Sequence, residues 1–279
     1  MRKIDTQSIA DTVYRLALRA CRSLTPSCLA ALERAEKTET SPAARFALQT
    51  CLKNAEVAAE ECMPVCQDTG MAVVFLSVGQ DVVLSGKPLA EAVNDGVRRA
   101  YLDGYFRKSV CDPLTRRNTA DNTPAVIHTE IVAGDKIEIS FLPKGFGSEN
   151  MSRLFMLTPA VGVDGVLDAV VSAVRDAGSK PCPPVYVGVG IGGTFDTAAL
   201  LAKKALLRDV GTRNEREDVA AIEETLLERI NALGIGAQGF HGDTTAIGVS
   251  CEIAPTHIAG LPVAVNMQCH CVRAAKEVL

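Results

Sequence analysis

Apolar residues in the stretch 5–61 recur at helical spacing, first Ile9, Val13, Leu16 and Leu18, then Phe46, Leu48, Leu52 and Val57. Thr25-Pro26-Ser27 and Ser41-Pro42-Ala43 interrupt the pattern as helix starts do, with a polar cap followed by an early proline. From residue 62 the period changes. Met71 to Val78 is a continuous apolar run of strand length, and Lys87-Pro88-Leu89 opens a helix through Val93, Val97 and Tyr101. Ala125 to Val132 and Lys136 to Leu142 read as two strands about the turn Ala133-Gly134-Asp135, which predicts an antiparallel hairpin. Further on, the pattern predicts a helix from Val161 to Ala177, a strand from Val185 to Val189 and a helix after Thr194. A charged amphipathic helix from Glu215 to Leu233 follows, then strands at Thr245–Ile253 and Leu261–Met267. No internal repeat or low-complexity linker divides the chain. The expectation is α+β: a single domain over 1–279, with a mainly helical portion at 1–61 and a mixed β-sheet core with flanking helices at 62–279.

Composition narrows the function classes. The chain has 279 residues and a formal net charge of −4, so no basic field is present to hold nucleic-acid phosphates. No apolar run reaches the roughly 20 residues of a membrane helix, and the stretch after Met1 has no apolar signal region. A cytoplasmic location is therefore expected, with thiols reduced. Ten cysteines is a high count for such a chain, and some are candidate metal ligands.

Cys66, Cys182 and Cys269 each stand at a turn beside an apolar strand-like run, with proline, glycine or polar neighbours. Thiolates from three separated turns suit three irons of a [4Fe–4S] cube, whose fourth iron keeps an open site. The spacing is not the compact run of ferredoxins, and by itself it leaves zinc or purely structural roles open. Cys62 and Cys271 are read as neighbours rather than ligands, and Cys21, Cys28 and Cys51 as small buried hydrophobes. Arg107, Arg116 and Arg117 are candidate clamps for a dicarboxylate, because guanidinium grips carboxylate as a fork. His257 follows Ala254-Pro255-Thr256 in a turn and is the preferred acid–base histidine over His128, His241 and His270. Gly188-Val189-Gly190-Ile191-Gly192-Gly193 matches a dinucleotide fingerprint only weakly; a substrate carboxylate at the following helix N-terminus is at least as reasonable a reading.

Taken together, several motifs resemble the class I, iron–sulfur dependent fumarate hydratase family. They are Cys66-Gln67-Asp68-Thr69-Gly70, Asn118-Thr119-Ala120-Asp121-Asn122-Thr123-Pro124-Ala125, Lys144-Gly145-Phe146-Gly147-Ser148-Glu149-Asn150, Cys182-Pro183-Pro184, Ile191-Gly192-Gly193-Thr194, Gly234-Ile235-Gly236-Ala237-Gln238-Gly239 and Pro255-Thr256-His257. In length the chain is similar to the separate α subunit of the two-subunit members, fumarate hydratase and L(+)-tartrate dehydratase. The resemblance implies a [4Fe–4S] cluster held by Cys66, Cys182 and Cys269 with one open iron. It implies substrate contacts at Gln67, Asp68, Arg107, Gly145 and Gly147, and catalytic roles for Asp68 and His257. It also implies a β subunit that carries the threonine base and further carboxylate-binding residues, in an α2β2 assembly. The expected reaction is reversible dehydration of (S)-malate to fumarate, with L(+)-tartrate as the alternative substrate and a non-catalytic metal-carrying subunit as the alternative of a different class. Phe146, in a turn that is often all glycine in the family, and Cys271, beside a ligand position, depart from its pattern.

Overall fold

The structure is a computed structural model that describes residues 1–279. In chain order it contains β1 (Arg2–Asp5), α1 (Thr6–Arg22), α2 (Pro26–Thr38), α3 (Pro42–Glu60), β2 (Met71–Gly79) and β3 (Val82–Ser85). Next come α4 (Leu89–Asp103), β4 (Val126–Val132), β5 (Ile137–Lys144), the single turn α5 (Phe146–Glu149), β6 (Arg153–Leu157) and α6 (Gly162–Ala177). The chain closes with β7 (Val185–Gly192), α7 (Phe195–Ala205), α8 (Glu217–Asn231), β8 (Ala246–Ala254), β9 (Leu261–Gln268) and β10 (Ala275–Val278). The fold is α+β, as expected, and residues 6–60 are almost wholly helical. No helix is long and apolar enough to cross a membrane.

The chain forms two compact units. The first comprises Met1–Thr25, Ala55–Phe146 and Arg273–Leu279. Its main sheet has the order β10-β5-β2-β4, and β1 pairs with β3 beside it. Alternate residues of β2 (Ala72, Val74, Leu76, Val78) and of β5 (Ile137, Ile139, Phe141) meet α1 and α4 in one core with Ile9, Val13, Leu16, Val93 and Val97. Here the structure corrects the expected hairpin. β4 and β5 do not pair; β2 lies between them, parallel to β4 and antiparallel to β5. The reason lies in the side chains. β2 is apolar on both faces and buried almost throughout, which suits a central strand. β4 carries His128, Thr129 and Glu130 and is largely exposed, which suits an edge. The short strands β1, β3, β6 and β10 carry too little periodicity to be read from sequence.

The second unit comprises Pro26–Asn54 and Gly147–Val272. Its sheet, β6-β9-β7-β8, is covered on both faces. Val185, Val187 and Val189 of β7 point to a core with Val166, Val170 and Val174 of α6 and Leu226 and Ile230 of α8. The opposite face of β7 presents Gly188 and Gly190 to α7. A Cβ on Gly188 would stand 2.1 Å from the Ala202 carbonyl oxygen, and one on Gly190 would stand 2.1 Å from that of Ala198. The glycine run therefore exists to let a helix lie directly on a strand. Gly190→Val is expected to cost about 3 kcal/mol or more, because the clash is with backbone that cannot swing aside. A urea midpoint that stays at the wild-type value would refute this account of the run.

Candidate active-site turns

In the first unit, the chain between α3 and β2 carries Cys66, Gln67, Asp68, Thr69 and Gly70, and it is held from all sides. The Asp68 carboxylate accepts from the Gly70 N–H at 3.0 Å and from the Phe146 N–H at 2.8 Å. The Asp68 carbonyl accepts from the guanidinium of Arg273, a residue only 1% exposed. Tyr101 Oη donates toward the carbonyls of Thr69 (2.7 Å) and Gly70 (3.0 Å). Burial pushes the Tyr101 phenol well above its usual range, so it stays a donor. Asn122, fully buried at φ 63°, donates from Nδ2 to the Gly70 carbonyl at 3.1 Å and accepts from the Ser109 N–H at 2.7 Å. The Asn118–Ala125 motif thus anchors the cysteine turn. Gly70 has φ 74°, and a Cβ there would press on the Lys144 backbone at 2.6 Å. The result is a rigid frame that leaves the Gln67 side chain exposed and Cys66 part-exposed.

Arg107 meets this frame through its carbonyl, which accepts from Thr69 Oγ1 at 3.0 Å; the residue itself is exposed. Arg116 and Arg117 lie on a fully exposed loop. Gly145 is buried beside Asp68, and a Cβ there would come within 3.2 Å of Oδ2 and 3.8 Å of an Arg273 guanidinium nitrogen. Gly147, in the second unit, is exposed, and a Cβ there would meet only the Lys180 carbonyl at 3.8 Å. Gly145→Ala is therefore expected to displace the Asp68 carboxylate and lower kcat/KM, whereas Gly147→Ala fits sterically. Equal kinetics for the two variants would contradict this distinction.

In the second unit, two cysteine turns meet. Cys182, at φ 56° and exposed, precedes β7, and Cys269 follows β9. The His270 N–H donates to the Cys182 carbonyl at 3.2 Å, joining the two turns. Gln238 donates its main-chain N–H to the Pro183 carbonyl at 2.7 Å and its Nε2 to the same oxygen at 2.8 Å, with His270 Nδ1 3.1 Å from Nε2. Burial opposes a charged His270 ring. The side chain of Cys51, the charge of Cys269 and the Cys182 carbonyl outweigh that and raise its pKa to about 9. The turn after β5 lies at this same end of the sheet: Asn266 donates to Glu149 Oε2 at 2.9 Å, and the Met267 N–H to Ser152 Oγ at 3.1 Å.

His257 is not part of this gathering. It sits before β9, whereas Cys269 comes after it, and eight residues at about 3.3 Å each place the two roughly 25 Å apart. Its turn is tied instead to the far end of β7, where Thr256 Oγ1 donates to the Gly193 carbonyl at 2.9 Å. His257 is exposed, and its Nδ1 accepts from the Ala259 N–H at 3.1 Å, so the neutral ring carries its proton on Nε2. The α7 N-terminus lies at this end too. Asp196 in its first turn accepts from Thr194 Oγ1 at 2.5 Å and from nearby backbone amides, so a protein carboxylate already stands where a substrate anion was expected.

The cysteines divide by environment. Cys21, Cys28 and Cys251 are sealed in the interior, and burial pushes their thiols up, to about 11 for Cys21, about 12 for Cys28 and higher for Cys251. Cys271 is also buried, with Sγ 3.3 Å from His270 Nε2. Cys66, Cys182 and Cys269 stand outside helix and strand and are not buried. Iron binds thiolate, so these three have the chemistry that a cluster requires. No three His, Cys, Asp or Glu side chains are grouped to hold a single metal ion. A cube differs from such a site, because it spreads its thiolates over separate irons.

The family model for fumarate hydratase (Fumerase) matches residues 10–278. The chain belongs to this family. Among individual proteins it is 43% identical over 273 residues to a Methanocaldococcus jannaschii protein provisionally named L(+)-tartrate dehydratase subunit alpha, covering 96% of each chain. It is 34% identical over 242 residues to the L(+)-tartrate dehydratase subunit alpha of Escherichia coli O157:H7 and to that of strain K12, covering 85% of this chain and 80% of each relative. Fumarate hydratase family membership makes the chain a hydro-lyase subunit. Sequence reasoning assigned no role to Arg273, Tyr101, Gln268, Asn122 or Gln238, although the last two lie in motifs that carry the family resemblance. Arg273 closes the run Gln268-Cys269-His270-Cys271-Val272-Arg273, and that adjacency to a candidate ligand was the available signal.

Proposed function

We propose that the chain is the α subunit of an iron–sulfur hydro-lyase that works with a β subunit in an α2β2 assembly on a four-carbon hydroxydicarboxylate. Cys66, Cys182 and Cys269 are the residues that would hold a [4Fe–4S] cluster. When bound, that group supplies an open iron as a Lewis acid for the departing hydroxyl. The observation that supports this reading most is the His270 link between the Cys182 and Cys269 turns, which brings together two accessible thiols far apart in sequence.

The chain's own residues then bind and orient. Asp68, held by two amide N–H groups and Arg273, presents a fixed carboxylate beside the Cys66 turn. Gln67 offers an exposed amide and Arg107 an exposed guanidinium for substrate carboxylates. Gly145, and Gly147 beyond it, let substrate approach the main chain closely. In the reaction a C–H and a C–O bond break, a C=C bond forms, and proton and hydroxide leave as water. The base that takes the proton belongs to the β subunit. His257 stands too far from its own Cys269 to share a substrate with it. Its proposed catalytic role therefore requires a site completed by a second α chain. Assemblies mixed from His257→Ala and Cys269→Ser chains should then recover activity that neither variant has alone; no recovery excludes the assignment.

(S)-Malate and fumarate are the first substrate pair. L(+)-tartrate is the second reading, favoured by the names of the relatives. The test is kcat/KM of the anaerobically reconstituted αβ enzyme on both substrates. A preference for tartrate by tenfold or more replaces the first reading with the second. A colourless complex inactive on both, even after iron and sulfide are supplied, sinks the hydro-lyase reading in favour of a non-catalytic subunit.

A further inference from the structure

Gln268, the last residue of β9, is 0% exposed, yet it carries an amide. Its Nε2 donates to the Cys271 carbonyl at 3.0 Å and toward Cys269 Sγ at 3.7 Å. Its Oε1 is buried with no hydrogen-bond partner. A carbonyl oxygen can only accept, so the Cys271 contact fixes the amide nitrogen on that side, and the same nitrogen has a second hydrogen available for the sulfur 3.7 Å away. An unsatisfied buried acceptor costs about 1–3 kcal/mol, and a methionine would fill the same space without that cost. Rigidity of the turn is already provided elsewhere, by the His270 N–H on the Cys182 carbonyl and by Gln238 on the Pro183 carbonyl. What the amide supplies beyond its bond to the Cys271 carbonyl is an N–H toward one sulfur.

We infer that Gln268 is a positioning and tuning residue for Cys269, donating a hydrogen bond to its ligand sulfur and setting the electronic poise of the group it holds. The inference rests on the iron–sulfur reading above. An N–H on a ligand sulfur withdraws negative charge from it, which favours the reduced, more negative state of a cluster and raises its potential. The amide therefore tunes both the reducibility of the cluster and its resistance to oxidative loss of iron.

The test uses the anaerobically reconstituted αβ enzyme, wild type and Gln268→Met, matched for iron and sulfide content. Removal of the donor should move the cluster's midpoint potential to more negative values, alter the g-values of the reduced state and quicken iron release in air several-fold. A fully loaded variant with unchanged midpoint and g-values overturns the inference while leaving the iron–sulfur reading intact. A wild type that takes up no cluster overturns that reading and the inference with it. If Gln268→Met does not load, wild-type enzyme labelled with side-chain ¹⁵N-glutamine provides the second measurement. A hyperfine coupling from amide ¹⁵N to the reduced cluster that persists in Gln67→Ala and Gln238→Ala supports the donor; no such coupling overturns it.

Discussion

Cys66→Ser, Cys182→Ser and Cys269→Ser should each yield a folded α subunit that fails to retain iron and sulfide and has lost activity on the order of 10³-fold or more. That magnitude follows from the several kcal/mol a Lewis-acid metal contributes to charge stabilisation, at about 1.4 kcal/mol per decade. Folding should survive, because all three thiols lie outside helix and strand and none is part of an apolar core. The control is the rest of the cysteine set. Cys62→Ser exchanges one exposed side chain for another of similar size and should retain the cluster and activity. Cys271→Ser removes a buried thiol near His270 Nε2 and should lower stability modestly while iron content holds. Iron and sulfide analysis with visible absorbance would check the series. Loss of iron in Cys271→Ser together with its retention in Cys269→Ser would exchange the roles of the two thiols.

Arg273→Met should be the most damaging change outside the cysteines. The methionine nearly fills the space but removes a buried guanidinium that donates to the Asp68 carbonyl. Loss of a hydrogen bond from a charged donor costs about 1.5–3 kcal/mol, and the Asp68 carbonyl loses a donor in a poorly hydrated setting. The larger effect is kinetic. Asp68 is oriented by three contacts, from Gly70, Phe146 and Arg273, and displacement of a positioned group by about 1 Å can cost on the order of 10²-fold in rate. Arg116→Met, on a fully exposed loop, should change stability by no more than about 0.5 kcal/mol. Urea unfolding and kcat/KM for the pair would check the argument. If both variants behave alike, burial of Arg273 has no bearing on the Asp68 turn.

Most helices and the long strands are legible in the sequence, because each carries its own periodicity, as α6, α8 and β9 do. The order of strands is not. β4 and β5 are neighbours in sequence with a glycine turn between them, and local rules join them. The competition is decided by β2, whose two apolar faces demand a central place, and only the packed sheet expresses that demand. β10 is four residues long, with no pattern of its own, yet its pairing to β5 helps return Arg273 to a turn 205 residues earlier.

The turn chemistry divides in the same way. Cys66-Gln67-Asp68, Cys182 and Cys269 could be singled out from sequence, since a thiol beside proline, glycine and polar residues at a strand end is a local signal. Family membership could be read there as well, from motifs spread over almost the whole chain. The supports could not, because Tyr101, Asn122, Gln238, Gln268 and Arg273 act through contacts that depend on where distant backbone carbonyls and a sulfur come to lie. The separation of His257 from Cys269 is likewise a tertiary fact. Twelve positions apart in sequence suggests proximity, but an extended strand between them turns those positions into most of the width of a sheet. Sequence alone determined which side chains this protein has for binding metal and carboxylate. Packing decided which of them share an end of the sheet and how firmly each is held.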